Sequence, residues 1–193
     1  MVRPSLPNHA AIPSVPAFPH CKTGSTQVRQ RPADEVNQMI DDLEEMVRGA
    51  VTAVFTTMLN FKPTMLGSQP ETSGGRHIAG SVGFIGRLTG VVYLYSTERF
   101  AQVMTSRMLG LAENEIEGEE MVNDTMGELS NMLVGHLKSR LADRGMPCVL
   151  TIPSIVRGQQ FNIEPVTSAT RRVVVFQCDE HQFVVEVLVK PAE

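Results

Sequence analysis

Cysteine is scarce in this chain, and the three present, Cys21, Cys148 and Cys178, stand far apart. Three residues at that spacing build neither a disulfide framework nor a C-x-x-C zinc site, so the reduced thiols of a cytoplasmic protein are the expected state. Cys148 and Cys178 fall in strand-like runs, where packing accounts for them. Basic charge is lacking too. Lys and Arg number 17 against 21 Asp and Glu, a formal net charge of −4, which is the wrong sign for holding nucleic acid by neutralising phosphates. No run of about 18 apolar residues is present to span a membrane as a helix. Also missing are the signatures of self-contained hydrolases: a G-x-S-x-G elbow, a Walker loop, or a histidine pair at metal-ligand spacing. Gly80, Gly83 and Gly86 lie within a strand pattern and not at a strand-to-helix turn, so they read as sheet residues. His77, His136 and His181 are scattered and fit ordinary surface or core roles. The expectation is a chain without metal, membrane or nucleic-acid partners.

What is present divides into a tail and one domain. Pro4, Pro7, Pro13, Pro16, Pro19 and Pro32 crowd the first 33 residues, which lack hydrophobic periodicity and read as a disordered extension. The same prolines interrupt any candidate signal-peptide core. Residues 34–190 are enough for one domain with a sizeable core. From Asp34, a candidate N-cap, apolar residues recur at three and four residue spacings to residue 59, predicting a long amphipathic helix. A short extended segment at 64–67 and a mobile-looking stretch at 69–75 follow. Strands are predicted at 78–85 and 88–96 around a Gly86-Arg87 turn, then a helix over 97–109 with Gly110 as C-cap. A second long helix, 117–143, stops at Gly145. Strands at 148–157, 171–178 and 182–189 close the chain, the last two joined by Asp179-Glu180-His181, with a loop at 158–170 that can hold a short strand at 161–163. The pattern is α+β: a pseudo-twofold repeat of one long helix followed by three strands, with the 97–109 helix inserted between copies.

The second long helix is the most informative element. At 3.6 residues per turn, Val122, Met126, Leu129, Leu133, Leu137 and Leu141 form one apolar stripe that faces a core. Asp124, Glu128, Asn131, Gly135 and Lys138 share the opposite stripe. Glu128 and Asn131 are one turn apart and side by side, and Gly135 leaves the next turn without a side chain. A glycine inside an exposed helix costs roughly 1 kcal/mol relative to alanine, and this helix holds both Gly127 and Gly135. The simplest reason is close approach of another molecule, with Asp124, Gly127, Gly135 and Lys138 bordering the pair as the approach surface. A glutamate and an asparagine one turn apart are by themselves an ordinary solvated face. Glu120 and Asn123 repeat the E-x-x-N spacing, but Asn123 points toward the apolar stripe and no glycine follows.

The two long helices also align. Asp42-Leu43-Glu44-Glu45-Met46-Val47-Arg48-Gly49 lies over Glu128-Leu129-Ser130-Asn131-Met132-Leu133-Val134-Gly135, with leucine, methionine and glycine at matching steps. Glu45 stands where the second copy has Asn131. An ionised carboxylate cannot donate the hydrogen bond an amide donates, so one working site, on the second helix, is expected. Asn131 both donates and accepts, which suits it to hold a water at a fixed angle. That suffices where the bond to be broken is already labile, as in an acyl phosphate. Glu128 then anchors a cation on the partner.

These residues match a known pattern. Asp124-Thr125-Met126-Gly127-Glu128-Leu129-Ser130-Asn131-Met132-Leu133-Val134-Gly135 resembles the E-x-x-N helix of the CheC, CheX and FliY phosphatases of bacterial chemotaxis, and the single intact site is the CheX pattern. The resemblance extends to Gly83-Phe84-Ile85-Gly86-Arg87-Leu88-Thr89-Gly90, to Thr151-Ile152-Pro153-Ser154-Ile155-Val156-Arg157-Gly158 and to the closing hairpin. It covers 34–190 and leaves 1–33 without a counterpart. It implies an antiparallel sheet with two long helices packed on it, and removal of phosphate from the phospho-aspartate of a CheY-like response regulator. Asn131 would orient the attacking water and Glu128 would pair with the regulator's lysine. It further implies that Mg2+ sits on the regulator, that the chain binds no cofactor of its own, and that a homodimer is possible. Two other readings stay open: a non-catalytic module that binds a response regulator, and a flagellar switch-type component, against which the intact Asn131 argues.

Overall fold

The first amphipathic run folds as α1 (Pro32–Asp41) and α2 (Leu43–Leu59) in a computed structural model that describes residues 32–67, 75–159 and 169–192. Asp42 does not break the ladder: its N–H donates to Gln38 O at 3.0 Å and its carbonyl accepts from Met46 N at 3.0 Å. The helix opens at Pro32, before Asp34, because the fixed φ of proline suits a first turn whose N–H groups need no intrahelical partner. It ends at Asn60, which takes the left-handed conformation at φ 52°. The proline-rich extension up to residue 31, most of the 69–75 stretch and the 161–163 strand lie outside the described residues.

The remaining elements are β1 (Thr64–Leu66), β2 (His77–Gly86), β3 (Leu88–Thr97), α3 (Glu98–Leu109), α4 (Gly118–Asp143), β4 (Cys148–Leu150), β5 (Ser154–Gly158), β6 (Thr170–Cys178) and β7 (His181–Pro191). Thr97 caps α3 by accepting from Phe100 N at 3.2 Å, and Gly110 closes it at φ 67°. A short 3-10 turn, Glu113–Glu115, leads into α4 and has no warning in the periodicity. The segment expected as one strand over 148–157 is split. Pro153 has no N–H to give a ladder, and Thr151 takes over locally: its N–H donates to Gly83 O and its Oγ1 accepts from Gly83 N, both at 2.9 Å.

The strands form one antiparallel sheet in the order β1-β6-β7-β3-β2-β4, with β5 also on β2. Exchanging β1 with β4 and β5, β2 with β6, and β3 with β7 reproduces that order from the other end, so the expected repeat is a spatial pseudo-twofold. The repeat is also interlocked. The first strand of each copy pairs with the middle strand of the other, β1 on β6 and β4 and β5 on β2, and β3 with β7 joins the halves. Neither copy completes its part of the sheet alone.

Helices cover one face of the sheet. Val122, Met126, Leu129, Leu133, Leu137 and Leu141 of α4 are all at most 3% exposed, as the apolar stripe requires. Phe183 stacks on Phe55 with ring centroids 4.4 Å apart and lies 5.3 Å from Phe176 and 5.8 Å from Phe100, knitting α2, α3, β6 and β7. Helix α4 rests directly on β2. At Gly80 an added Cβ would lie 2.2 Å from Ser130 Oγ and 2.9 Å from the Met126 carbonyl oxygen. Ser130 turns its own hydroxyl inward, donating to Met126 O at 2.7 Å. This close seat sets the height of the turn that carries Glu128 and Asn131.

Candidate functional site on the second long helix

With Ser130 pressed on β2, the far side of α4 faces out. Asp124, Glu128 and Lys138 are exposed, and Asn131 and Gly135 are half-exposed. Neither the Glu128 nor the Asn131 side chain is hydrogen-bonded or ion-paired to any described residue. An added Cβ at Gly135 would meet nothing within 4 Å. From Glu128 to Gly135 the open strip runs about 10 Å along the helix. The structure thus brings together Asp124, Glu128, Asn131, Gly135 and Lys138 on one face.

Gly127 is a correction. It is buried, not part of the open strip, and an added Cβ would lie 3.7 Å from Pro153 Cβ. On the helical wheel it falls between Ser130 and Asn131, toward the sheet edge, and the 151–153 segment covers it. Of the two glycines, only Gly135 lies on the open strip.

The Glu120 and Asn123 spacing is structural. Asn123 Oδ1 accepts from Arg157 Nε at 2.8 Å, and the same guanidinium donates to Glu98 Oε1 at 2.8 Å and to the Glu119 carbonyl at 3.1 Å. Arg76 adds bridges of 3.3 Å to Glu98 and 3.3 Å to Glu119. Arg157 is 14% exposed, so its charge must be paired. This network binds β5 to α3 and to the first turns of α4. Sequence reading overlooked Arg157; the available signal was an arginine on the inward-facing step of an apolar strand.

The first copy is closed by arginines of the same chain. Asp42 pairs with Arg144. Glu45 accepts from Arg48 Nε at 2.8 Å, and that hydrogen bond holds the Glu45 carboxyl below its ordinary value while raising the arginine. Arg140 lies over Gly49, where an added Cβ would be 2.6 Å from Nη2.

The two described cysteines are not poised as nucleophiles. Cys148 and Cys178 are free and buried; burial raises both thiols, Cys178 to about 12, so neither offers a thiolate at neutral pH. Among the described residues no three His, Cys, Asp or Glu side chains cluster to hold a metal ion, and no helix is long and apolar enough to cross a membrane.

The sequence model of the family described as chemotaxis phosphatase CheX matches residues 78–177, just over half of the chain. The chain belongs to the CheX family. The matched stretch runs from β2 into β6 and includes the whole of α4. The CheY-P phosphatase CheX of Thermotoga maritima is 30% identical over 84 residues, which are 43% of this chain and 53% of that protein; the match spans about half the length of that relative. The CheX crystal structure from Desulfovibrio desulfuricans has a similar fold, with a TM-score of 0.67 and 23% identity over 77% of this chain and 99% of that one. The CheX chain in a CheX-CheY-BeF3-Mg2+ complex from Borrelia burgdorferi gives a TM-score of 0.65 and 20% identity over 76% and 96%. These structures share the mixed α+β fold, with the long helices on an antiparallel sheet.

Proposed function

We propose that this chain removes phosphate from the phospho-aspartate of a CheY-like response regulator. One observation carries the reading: on a surface whose ionic groups are widely paired within the chain, Glu128 and Asn131 stand side by side without a partner among the described residues, next to a glycine with open space above it. Asn131 reaches the acyl phosphate from the side opposite the aspartyl oxygen and fixes a water by accepting from it through its carbonyl or donating to it through its amide. The water oxygen bonds to phosphorus as the bond to the aspartyl oxygen breaks. The leaving group is a carboxylate, so no strong base is required. Glu128 receives a lysine ammonium of the regulator and sets the orientation. Mg2+ enters with the regulator as part of the substrate. Family membership and the CheY-P phosphatase relative support this reading.

The test is phosphate release from a panel of phosphorylated receiver domains with Mg2+. Acceleration for at least one of them, abolished in Asn131→Ala with an unchanged melting temperature, is expected. Full activity in Asn131→Ala removes the catalytic assignment. Tight binding without acceleration replaces it with a non-catalytic regulator-binding role.

A further inference from the structure

Beside the site helix the sheet edge carries a feature that the hydrolytic chemistry does not use. Ile152 is 85% exposed, against 63% for Val149 and 55% for Ile85, the next most exposed large apolar side chains among the described residues. Single exposed apolar residues are ordinary on a surface, but this one is held on both sides. Thr151 is clamped to Gly83 by two bonds of 2.9 Å. Pro153 has a fixed φ and lies beside α4 at Gly127, its Cβ 3.7 Å from where an added Cβ would sit. Further along, Arg157 ties the strand to α3 and α4. The apolar tip therefore has little motion to lose on binding, which is the condition for an efficient anchor.

We infer that Ile152, backed by Pro153, is the apolar anchor that seats the receiver domain against the Glu128 and Asn131 face. The identity of the occupant rests on the function proposed above. Position argues for it: Pro153 lies beside α4 at Gly127, one residue before Glu128 and one turn before Asn131, so a partner that covers the pair from the sheet-edge side lies over Ile152. Charge fits the same occupant. Asp124 and Glu128 are exposed on this face, and a partner with a cation at its reactive centre meets them favourably. Burying one aliphatic side chain is worth on the order of 10- to 100-fold in affinity.

The experiment measures binding apart from turnover. Beryllofluoride-activated receiver domains with Mg2+ are titrated by calorimetry into the full chain and into Ile152→Ser, Ile152→Leu and Asn131→Ala. Ile152→Ser is expected to weaken binding about tenfold or more with no fall in melting temperature, and Ile152→Leu to restore most of it. In turnover, the loss appears in the receiver concentration for half-maximal rate, not in the saturated rate. Asn131→Ala keeps its affinity within a few fold. If the wild type binds receivers without hydrolysing them while Ile152→Ser still binds weakly, the hydrolytic reading fails and the anchor stands. Equal affinity of Ile152→Ser and wild type overturns the anchor, as does a wild type that binds no activated receiver. Sedimentation velocity gives the remaining outcome: a dimer lost in Ile152→Ser with receiver binding intact assigns the tip to self-association and overturns the inference.

Discussion

The long helices α2 and α4 carry matching octapeptides, residues 42–49 and 128–135, and the fold treats them in opposite ways. In the first, Asp42 pairs with Arg144, Glu45 with Arg48, and Arg140 fills the space over Gly49. In the second, Glu128 and Asn131 have no described partner and Gly135 is open. The same spacing of acid, polar residue and glycine is thus a satisfied surface in one place and a candidate site in the other. Three arginines make the difference, and two of them come from the end of α4: Arg140 in its last turn and Arg144 as its C-cap. A polar motif is available for chemistry only where its own chain leaves it unpaired.

The largest effect expected from this contrast lies in the paired substitutions Asn131→Ala and Glu45→Ala. The first should lower stimulated dephosphorylation on the order of 100-fold, the cost of misplacing a reacting group, while the second leaves the rate within about twofold. Equal losses in a phosphate-release assay would break the comparison.

Next comes the seat of α4. Gly80→Ala puts a methyl 2.2 Å from Ser130 Oγ and 2.9 Å from a helix carbonyl, and backbone cannot move aside cheaply. A destabilisation of about 1–3 kcal/mol in chemical denaturation is expected, with loss of turnover as the helix lifts. A variant as stable as wild type would show that the close approach to β2 does not set the site.

The two glycines sharpen the contrast at a smaller scale. Gly135→Leu should raise stability by up to about 1 kcal/mol through helix propensity yet weaken receiver binding, because its side chain fills space kept for a partner. At Gly49 the neighbour of a new Cβ is the tip of Arg140, a flexible group that can swing away, so Gly49→Ala should leave binding and turnover alone. A fall in melting temperature for Gly135→Leu would mean that the open glycine serves the chain's own packing.

The smallest effect is a titration. Arg48 lowers the Glu45 carboxyl, so the ion pair persists above the ordinary glutamate range and is lost only as pH falls through the lowered value. Carbon-detected NMR should place the Glu45 midpoint below that of an unpaired glutamate, and Arg48→Ala should return it. An unshifted midpoint in the wild type would remove the evidence that the first copy is closed by its own cation.

Much of this is legible along the chain because it depends on near neighbours. The apolar stripe of α4, the helix over 97–109, and the stops at Gly110 and Gly145 are local signals, and each is realised in the fold. So is the candidate pair, since residues one turn apart on a helix share a face wherever the helix packs. Beyond the helix start, expected at Asp34 and found at Pro32, what failed was non-local. Gly127 looked as open as Gly135, and only the returning edge segment with Pro153 buries it. The strand over 148–157 looked continuous, and only its partner Gly83 shows how Thr151 and Pro153 break it.

By itself the sequence determined the helix and strand order, the internal repeat, and the placement of Glu128 and Asn131 on the face opposite the apolar stripe, because these follow from periodicities of 3.6 and 2 and from residue chemistry. The tertiary structure alone decided that the copies exchange their edge strands, that Arg140 and Arg144 reach the first copy, and that Ile152 stands beside the second. Those outcomes depend on contacts between residues tens of positions apart, whose geometry no local pattern encodes.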